Sequence, residues 1–192
     1  MPEISKFDSR SCLVPLREPE EFSPQYRDLA AETIQRTGQL PNSVRAMANS
    51  DELAFTTRQF LATVAKGGTL SVELTILIRL VVSNLNACIY CSTHQTRSLI
   101  KLGVPKEKIE NIHSFETHPA FTENERIALQ FAAALTKDSS NIPDEICERF
   151  TDAFTPTHRT EITLVAAAMG MLNRFNDGLR IPLENAEMEV GQ

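Results

Sequence analysis

The chain has 192 residues, of which 42% are hydrophobic, and its formal net charge at pH 7 is −6. This apolar content is enough for one buried core, or for two small helical units that share one. Lys and Arg are scattered along the chain and form no basic stripe, so the charge pattern argues against nucleic acid as a partner.

The N-terminal sequence MPEISKFDSRSCLVPLREPEEF carries charges throughout and has no apolar central segment. Because this is the pattern of neither a signal peptide nor an Arg-rich presequence, we expect a cytoplasmic protein. The most apolar run, Leu74–Val82, is interrupted by Arg79. It is also far shorter than the roughly 20 residues of a membrane span, so we expect no membrane anchor.

Helix boundary signals recur along the chain. Ser23 followed by Pro24 places a cap and then a proline at the first helical position, and Gly38 ends the helix that they begin. Ser50 precedes a second segment, whose apolar residues recur at helical spacing until the Gly67–Gly68 pair stops it. The pattern predicts a long helix over each segment.

Three further helix starts are predicted in the second half of the chain. Thr122, with Glu125 three residues later, forms a capping box ahead of RIALQFAAALT. Pro143 opens the segment DEICERFTDAF, and Thr157 opens HRTEITLVAAAMGMLNRF. Since we find no hairpin turn, alternating run or glycine-rich phosphate loop in the sequence, the predicted fold class is all-α.

The segment SVELTILIRLVVSNLN is ambiguous by composition, because its β-branched residues favour a strand. Its length of about fifteen residues favours a helix. Apolar side chains on nearly every face predict a position at the centre of the domain or at a subunit interface, and the same holds for ITLVAAAMGML. The two segments echo each other as ELTILI and EITLVA, which is compatible with two related helical halves.

These patterns predict an N-terminal arm at 1–22, one all-α domain at 23–183 and a C-terminal tail at 184–192. Cys12 lies in the arm, and we assign it no role. Cys147 lies in a helical segment, where a lone cysteine is usually a small buried hydrophobe.

The stretch NLNACIYCSTHQTR contains the candidate catalytic site. Cys88, Cys91 and His94 are three residues apart, so on a helix they lie along one face and within a turn of each other. If a helix restarts at about Asn86 or Ala87, its unpaired N–H groups and positive dipole end favour a thiolate in the first turn. His94 can then accept the thiol proton, with Cys91 as nucleophile and Cys88 as the partner that closes a disulfide.

Two other interpretations of the cysteine pair stay open. The cysteines can be packing residues of an apolar helix, or they can join His94 and either His113 or His118 in a Cys₂His₂ zinc site. Structural zinc sites usually serve small domains that lack a core, whereas this chain has ample apolar residues, so we expect no metal and no cofactor. His113 and His118 are predicted to be exposed loop residues, and His158 is predicted to lie on the surface in the first turn of a helix.

The segment LSVELTILIRLVVSNLNACIYCSTHQTRSLIKLGVP resembles the AhpD-like alkylhydroperoxidase branch of the carboxymuconolactone decarboxylase family. In that branch an apolar helix leads into a CxxC and a nearby His. The part from FTENERIALQFAAALT to LNRFNDGLRIP resembles the second half of longer members, so the resemblance covers residues 24–183. It implies an AhpD-like helical fold and a homo-oligomer, as a dimer, trimer or hexamer. It also implies reduction of hydroperoxides through the CxxC pair, with a thiol or protein dithiol as reductant.

Carried over by position, the resemblance makes Cys91 the thiol that attacks the peroxide, Cys88 the resolving thiol and His94 the proton relay. The better-studied pattern has its His four residues after the second Cys, where this chain has Gln95. Related members have it three residues after, as here.

The relay carboxylate of the family stands twelve residues before the first Cys, and this chain has Ile76 there. Glu73 lies one turn earlier, about 4.5 Å along a helix axis, and is one candidate replacement. Glu161, in the echoing helix, is another. The alternative for each is a solvated first-turn residue favoured by the helix dipole.

Three polar residues near the end of the last apolar helix, Asn173, Arg174 and Asn176, match polar positions of the family. They either line a pocket or an interface, or make hydrogen bonds and salt bridges at the helix end.

Three functions are compatible with these observations. The first is a thiol-dependent peroxidase. The second is a decarboxylase or lactone-processing enzyme like the namesake of the family, which needs no CxxC. The third is a non-enzymatic helical oligomer whose CxxC senses redox state. All three share the fold, so the fold does not choose among them.

Overall fold

A computed structural model describes residues 12–184, and all regular structure within them is helical, which confirms the predicted all-α class. Residues 1–11 of the predicted N-terminal arm and residues 185–192 of the predicted C-terminal tail lie outside these described residues. Two short 3₁₀ helices, Pro19–Glu21 and Ile112–Ser114, accompany the α-helices. The α-helices are α1 (Pro24–Thr37), α2 (Asn42–Met47), α3 (Asp51–Ala65), α4 (Val72–Leu85), α5 (Ile89–Leu102), α6 (Lys106–Glu110), α7 (Glu123–Lys137), α8 (Asp144–Ala153) and α9 (Pro156–Gly178).

The predicted boundary signals of α1 and α7 are confirmed. Ser23 is the N-cap of α1, and Gly38 ends it with a left-handed φ of 88°. The Thr122 hydroxyl accepts a hydrogen bond from the Glu125 N–H at 3.3 Å, and the Glu125 carboxylate accepts one from the Thr122 N–H at 2.8 Å. Both hydrogen bonds of this capping box are therefore formed.

The start of α9 differs from the predicted one. The helix begins at Pro156, and the Thr155 hydroxyl accepts a hydrogen bond from the His158 N–H at 3.2 Å. The N-terminal pattern is thus a Thr followed by a Pro at the first helical position, the arrangement that Ser23 and Pro24 form at α1. Thr157 therefore lies inside the helix and is not its cap.

Two compact units are distinguished, and the first comprises residues 12–60 and 175–184 of the described part. Tyr26 of α1 is fully buried there, and its hydroxyl donates to the Val44 carbonyl oxygen at 2.8 Å. Burial raises the pKa of this hydroxyl well above its ordinary value. Arg58 of α3 donates to the Thr33 hydroxyl of α1 at 2.8 Å. These two polar contacts join α1 to α2 and α3.

The second unit, Leu61–Arg174, is built around α4. This helix packs against α5 and α7, and α7 in turn packs against α8. Nearly every side chain of α4 from Leu74 to Ser83 is buried, as its all-round apolar sequence predicted. The apolar face of α9 is only partly covered, because Leu164 and Met171 remain 45% and 43% exposed.

Candidate active site

A sharp turn presents the cysteine pair between α4 and α5. Ala87 has a φ of 54°, and Cys88 follows as the N-cap of α5 with φ −81° and ψ 95°. The Cys88 N–H donates to the Ser83 carbonyl oxygen at 3.0 Å, which closes the turn onto the end of α4. The helix restarts at Ile89, two to three residues later than predicted.

A buried hydrogen-bond network joins this turn to α9. The Asn86 Nδ2 donates to the side-chain oxygen Oδ1 of Asn173 at 2.8 Å, and the Asn173 Nδ2 donates to the Ser83 hydroxyl at 3.3 Å. The Ser83 hydroxyl donates to the Arg79 carbonyl oxygen at 2.7 Å. Asn173 is only 1% exposed, so the network is shielded from water. One of the three polar residues noted in the α9 sequence therefore supports the turn before the CxxC.

The structure places the three predicted residues at the start of α5. Cys88 and Cys91 are 1% and 2% exposed, and His94 is half-buried. Cys91 is the third residue of the helix, so its sulfur belongs to the first turn, where the helix dipole favours a negative charge. Tyr90 packs on the His94 ring, with ring centroids 4.6 Å apart. The sequence reasoning overlooked this contact, although Tyr90 and His94 have the i, i+4 spacing that brings side chains together.

Gln95 is a second residue at the site to which the sequence reasoning gave no role. It lies four residues after Cys91 and is only 4% exposed. Its Oε1 atom is buried and has no hydrogen-bond partner among residues 12–184. The buried residues on this side are the N-cap Cys88 and, within α5, Cys91, Gln95 and Leu99. The polar amide of Gln95 therefore lies in line with buried thiols and a buried apolar side chain.

Glu73, the first candidate for the relay carboxylate, is engaged by Lys108. The Lys108 ammonium lies 2.6 Å from a carboxylate oxygen of Glu73 and 2.6 Å from one of Glu125, and the Lys108 residue is 8% exposed. Burial alone would lower the pKa of Lys108, but the hydrogen bonds and charges of the two carboxylates outweigh it and raise the pKa. This triad joins α4, α6 and α7. Ile76, at the position of the family carboxylate, is buried.

Glu161, the second candidate, is engaged by the connection between α3 and α4. Its carboxylate accepts hydrogen bonds from the Thr69 N–H at 3.0 Å and from the Thr69 hydroxyl at 2.7 Å. A Cβ atom at Gly68, which has a φ of 61°, would clash with this carboxylate. The contacts give Glu161 a structural role, and its part in a proton relay stays a prediction.

We expect Gly68→Ala to lower the free energy of unfolding by about 2–3 kcal/mol, of which left-handed backbone strain supplies about 1–2 kcal/mol and the displaced Glu161 carboxylate the rest. Gly103→Ala is the matched control, because Gly103 has a φ of 83° but no atom within 4 Å of an added Cβ. Urea unfolding of both variants measures the difference. Equal destabilisation by the two substitutions would show that the Glu161 contact adds nothing.

The other histidines and Cys147 are not carried by α5. His113 is exposed, as predicted, whereas His118 is half-buried and its Nδ1 accepts from the Ala120 N–H at 3.3 Å. Cys147 is half-buried on α8 and not fully buried as expected. In the described range, no three or more His, Cys, Asp or Glu side chains are grouped so that they could hold a metal ion.

A cavity of about 200 Å³ lies beside the turn, within the second unit. Asn86 and Arg174 supply its amide and guanidinium groups, and the Arg174 guanidinium donates to the Gly170 carbonyl oxygen at 2.9 Å. Arg174 therefore lines a pocket, one of the two roles considered for it. The other residues that line the cavity are Leu135, Thr136, Ser139, Ala166, Ala167 and Gly170. Asn176 is buried in the first unit.

The described residues form a helical fold that carries a CxxC motif at the start of α5. Residues 51–134 match the carboxymuconolactone decarboxylase family, and this segment contains α4, α5 and the cysteine pair. The resemblance drawn from the sequence is thereby confirmed. Within residues 12–184, no helix combines the length and apolar character that crossing a membrane requires.

Three known proteins are similar to this chain. The uncharacterized protein YdfG of Bacillus subtilis is 24% identical over 101 residues, which are 52% of this chain and 69% of YdfG. The debrominase Bmp8, crystallised as a cysteine-to-alanine variant with 2,3,4-tribromopyrrole, has a TM-score of 0.83 at 24% identity, over 93% of this chain and 94% of Bmp8. An AhpD-core, peroxidase-related protein of Ralstonia eutropha has a TM-score of 0.79 at 18% identity, over 91% of this chain and 93% of that one. The similarity to the two solved structures shows that this chain has the AhpD-like fold.

Proposed function

We propose that this protein is a thiol-dependent peroxidase that reduces hydroperoxides through Cys88 and Cys91. The observation that carries the proposal is the position of the pair, with Cys88 as the N-cap of α5 and Cys91 in its first turn. Few chemistries need two thiols within one turn of each other at the positive end of a helix. His94 lies one turn further on the same helix and supplies an imidazole that can accept or donate a proton.

The proposed reaction proceeds in two steps. The Cys91 thiolate attacks the terminal oxygen of the hydroperoxide, the O–O bond breaks, and an S–O bond forms as sulfenic acid. The departing alkoxide takes a proton from His94 and leaves as an alcohol. The Cys88 thiol then displaces hydroxide from the sulfenic sulfur, which gives a disulfide and water. An external thiol or protein dithiol returns both cysteines to thiols.

Steady-state consumption of hydrogen peroxide and of tert-butyl hydroperoxide, with dithiothreitol as reductant, tests the proposal. We expect turnover that saturates with hydroperoxide and exceeds the rate of dithiothreitol alone. A rate equal to that of dithiothreitol without protein would reject the proposal. The homo-oligomer that the resemblance implies stays a prediction, which the native mass would measure.

Reductive debromination is a second candidate, because Bmp8 shares the fold and was crystallised with a brominated pyrrole in a variant lacking one cysteine. A dithiol supplies the two electrons that the reaction needs. The carbon–bromine bond becomes a carbon–hydrogen bond, bromide leaves, and the two thiols become a disulfide. Bromide release from 2,3,4-tribromopyrrole, with no hydroperoxide consumption, would favour this candidate. A carbon-acid or lactone activity that survives substitution of both Cys88 and Cys91 would favour the decarboxylase alternative.

A further inference from the structure

Gln95 is an unexplained polar residue in the buried part of α5. The residue is only 4% exposed, and its Oε1 atom has no hydrogen-bond donor within the described part of the chain. Burial of an amide without a partner destabilises a folded protein, and an apolar side chain of similar size would pack there at lower cost. An unsatisfied amide in such a place therefore calls for a role outside packing.

The position of Gln95 relates this amide to the reactive sulfur. Residues four apart on a helix have Cβ atoms about 5–6 Å from each other and lie on one face. Gln95 stands in this relation to Cys91, and Leu99 stands in it to Gln95. Because Leu99 is completely buried and apolar, it offers the amide no partner on the other side. The unpartnered Oε1 atom of Gln95 thus belongs to a side chain on the same helix face as Cys91, whose sulfur reacts in the proposed function.

We propose that Gln95 binds the hydroperoxide group of the substrate beside Cys91 and selects for a terminal O–H. A hydroperoxide offers one donor, the terminal O–H, and one acceptor, the inner oxygen. A carboxamide offers the complementary pair, since its carbonyl oxygen accepts and its NH₂ group donates. Oε1 accepts the terminal O–H, and Nε2 donates to the inner oxygen.

This arrangement rests on the proposed peroxidase function and adds a specificity to it. The terminal oxygen is held for attack by the Cys91 thiolate, and the N–H of Gln95 stabilises the negative charge that develops on the inner oxygen as the O–O bond breaks. His94 then protonates the alkoxide, and Gln95 itself is unchanged. A thiol reagent without an O–H group gains nothing from the amide, so its reaction with Cys91 is independent of residue 95.

Single-turnover kinetics of the Gln95→Met and Gln95→Leu variants test this inference with two oxidants. The first is tert-butyl hydroperoxide, and the second is methyl methanethiosulfonate, a small thiol reagent that has no O–H group. We expect both variants to react about 10–100-fold more slowly with the hydroperoxide. Their rates with methyl methanethiosulfonate should stay within about threefold of the unsubstituted protein, and their melting temperatures should be equal or higher, because a buried unpartnered amide is gone.

Ser98→Ala is the matched control, since Ser98 is exposed on the same helix and its hydroxyl donates to the His94 carbonyl oxygen at 2.8 Å. It should leave both rates unchanged. An unchanged hydroperoxide rate in the Gln95 variants, or a parallel fall of both rates, would overturn the inference and leave the peroxidase proposal standing. If the unsubstituted protein reacts with methyl methanethiosulfonate but not with hydroperoxides, the peroxidase proposal fails first and the role of Gln95 fails with it.

Discussion

Replacement of Cys91 by Ser is expected to lower the rate constant for hydrogen peroxide by on the order of 10³-fold or more, to the background of the protein's other groups. The reason is that a helix start favours a thiolate, which is a far better nucleophile than a serine hydroxyl. Stopped-flow peroxide consumption under single-turnover conditions measures the change.

Two further single substitutions separate the roles of the cysteines. Cys88→Ser should keep the first step, so a sulfenic acid at Cys91 accumulates and can be trapped by dimedone. Cys147→Ser, at a half-buried cysteine on α8, is the control and should leave the peroxide rate unchanged. Full activity in Cys91→Ser, or loss of the first step in Cys88→Ser alone, would contradict the assignment of Cys91 as the attacking thiol.

Replacement of Lys108 by Met is expected to lower the free energy of unfolding by about 3 kcal/mol, because it leaves Glu73 and Glu125 partly buried without their shared cation. For a chain of this size such a change lowers the melting temperature by about 6–12 °C. Lys106→Met is the matched control, since Lys106 and its partner Glu110 are 83% and 60% exposed and 3.5 Å apart. The control should change stability by less than about 0.5 kcal/mol.

The effect of Lys108 also has a predicted pH dependence. Its pKa is raised in the folded protein, so the stability that it contributes is fully present below its ordinary value of 10.5 and is lost as the pH rises through the folded-state pKa. The stability difference between the unsubstituted protein and Lys108→Met should therefore be constant from pH 7 to 9 and shrink only above about pH 10.5. Equal melting temperatures for the Lys106 and Lys108 variants would contradict a structural ion triad.

Local signals predicted most helices, because the groups that start and stop a helix lie within four residues of each other. The capping box of Thr122 and Glu125 and the pair of Ser23 and Pro24 are of this kind. The short helices α2 and α6, with six and five residues, were not predicted. A segment of that length shows too few turns for a periodic apolar pattern to appear.

The cysteine pair and His94 could be placed from the sequence because one helix carries all three. The partners of Glu73 and Glu161 could not, since Lys108 follows Glu73 by 35 residues and Thr69 precedes Glu161 by 92. Gln95 was assigned no role, because a glutamine in a helix is not by itself typical of a catalytic or binding site. The sequence shows only that it stands where the family pattern has its His, whereas in the structure its burial and its unpartnered oxygen single it out.

The most direct test of a redox-active cysteine pair is the mass of the native protein after one equivalent of hydrogen peroxide, with the remaining thiols trapped by an alkylating reagent. We expect loss of two hydrogen atoms and protection of Cys88 and Cys91 together, while Cys12 and Cys147 are alkylated as before. Alkylation of Cys88 and Cys91 to the same extent with and without peroxide would contradict a redox-active pair at the start of α5.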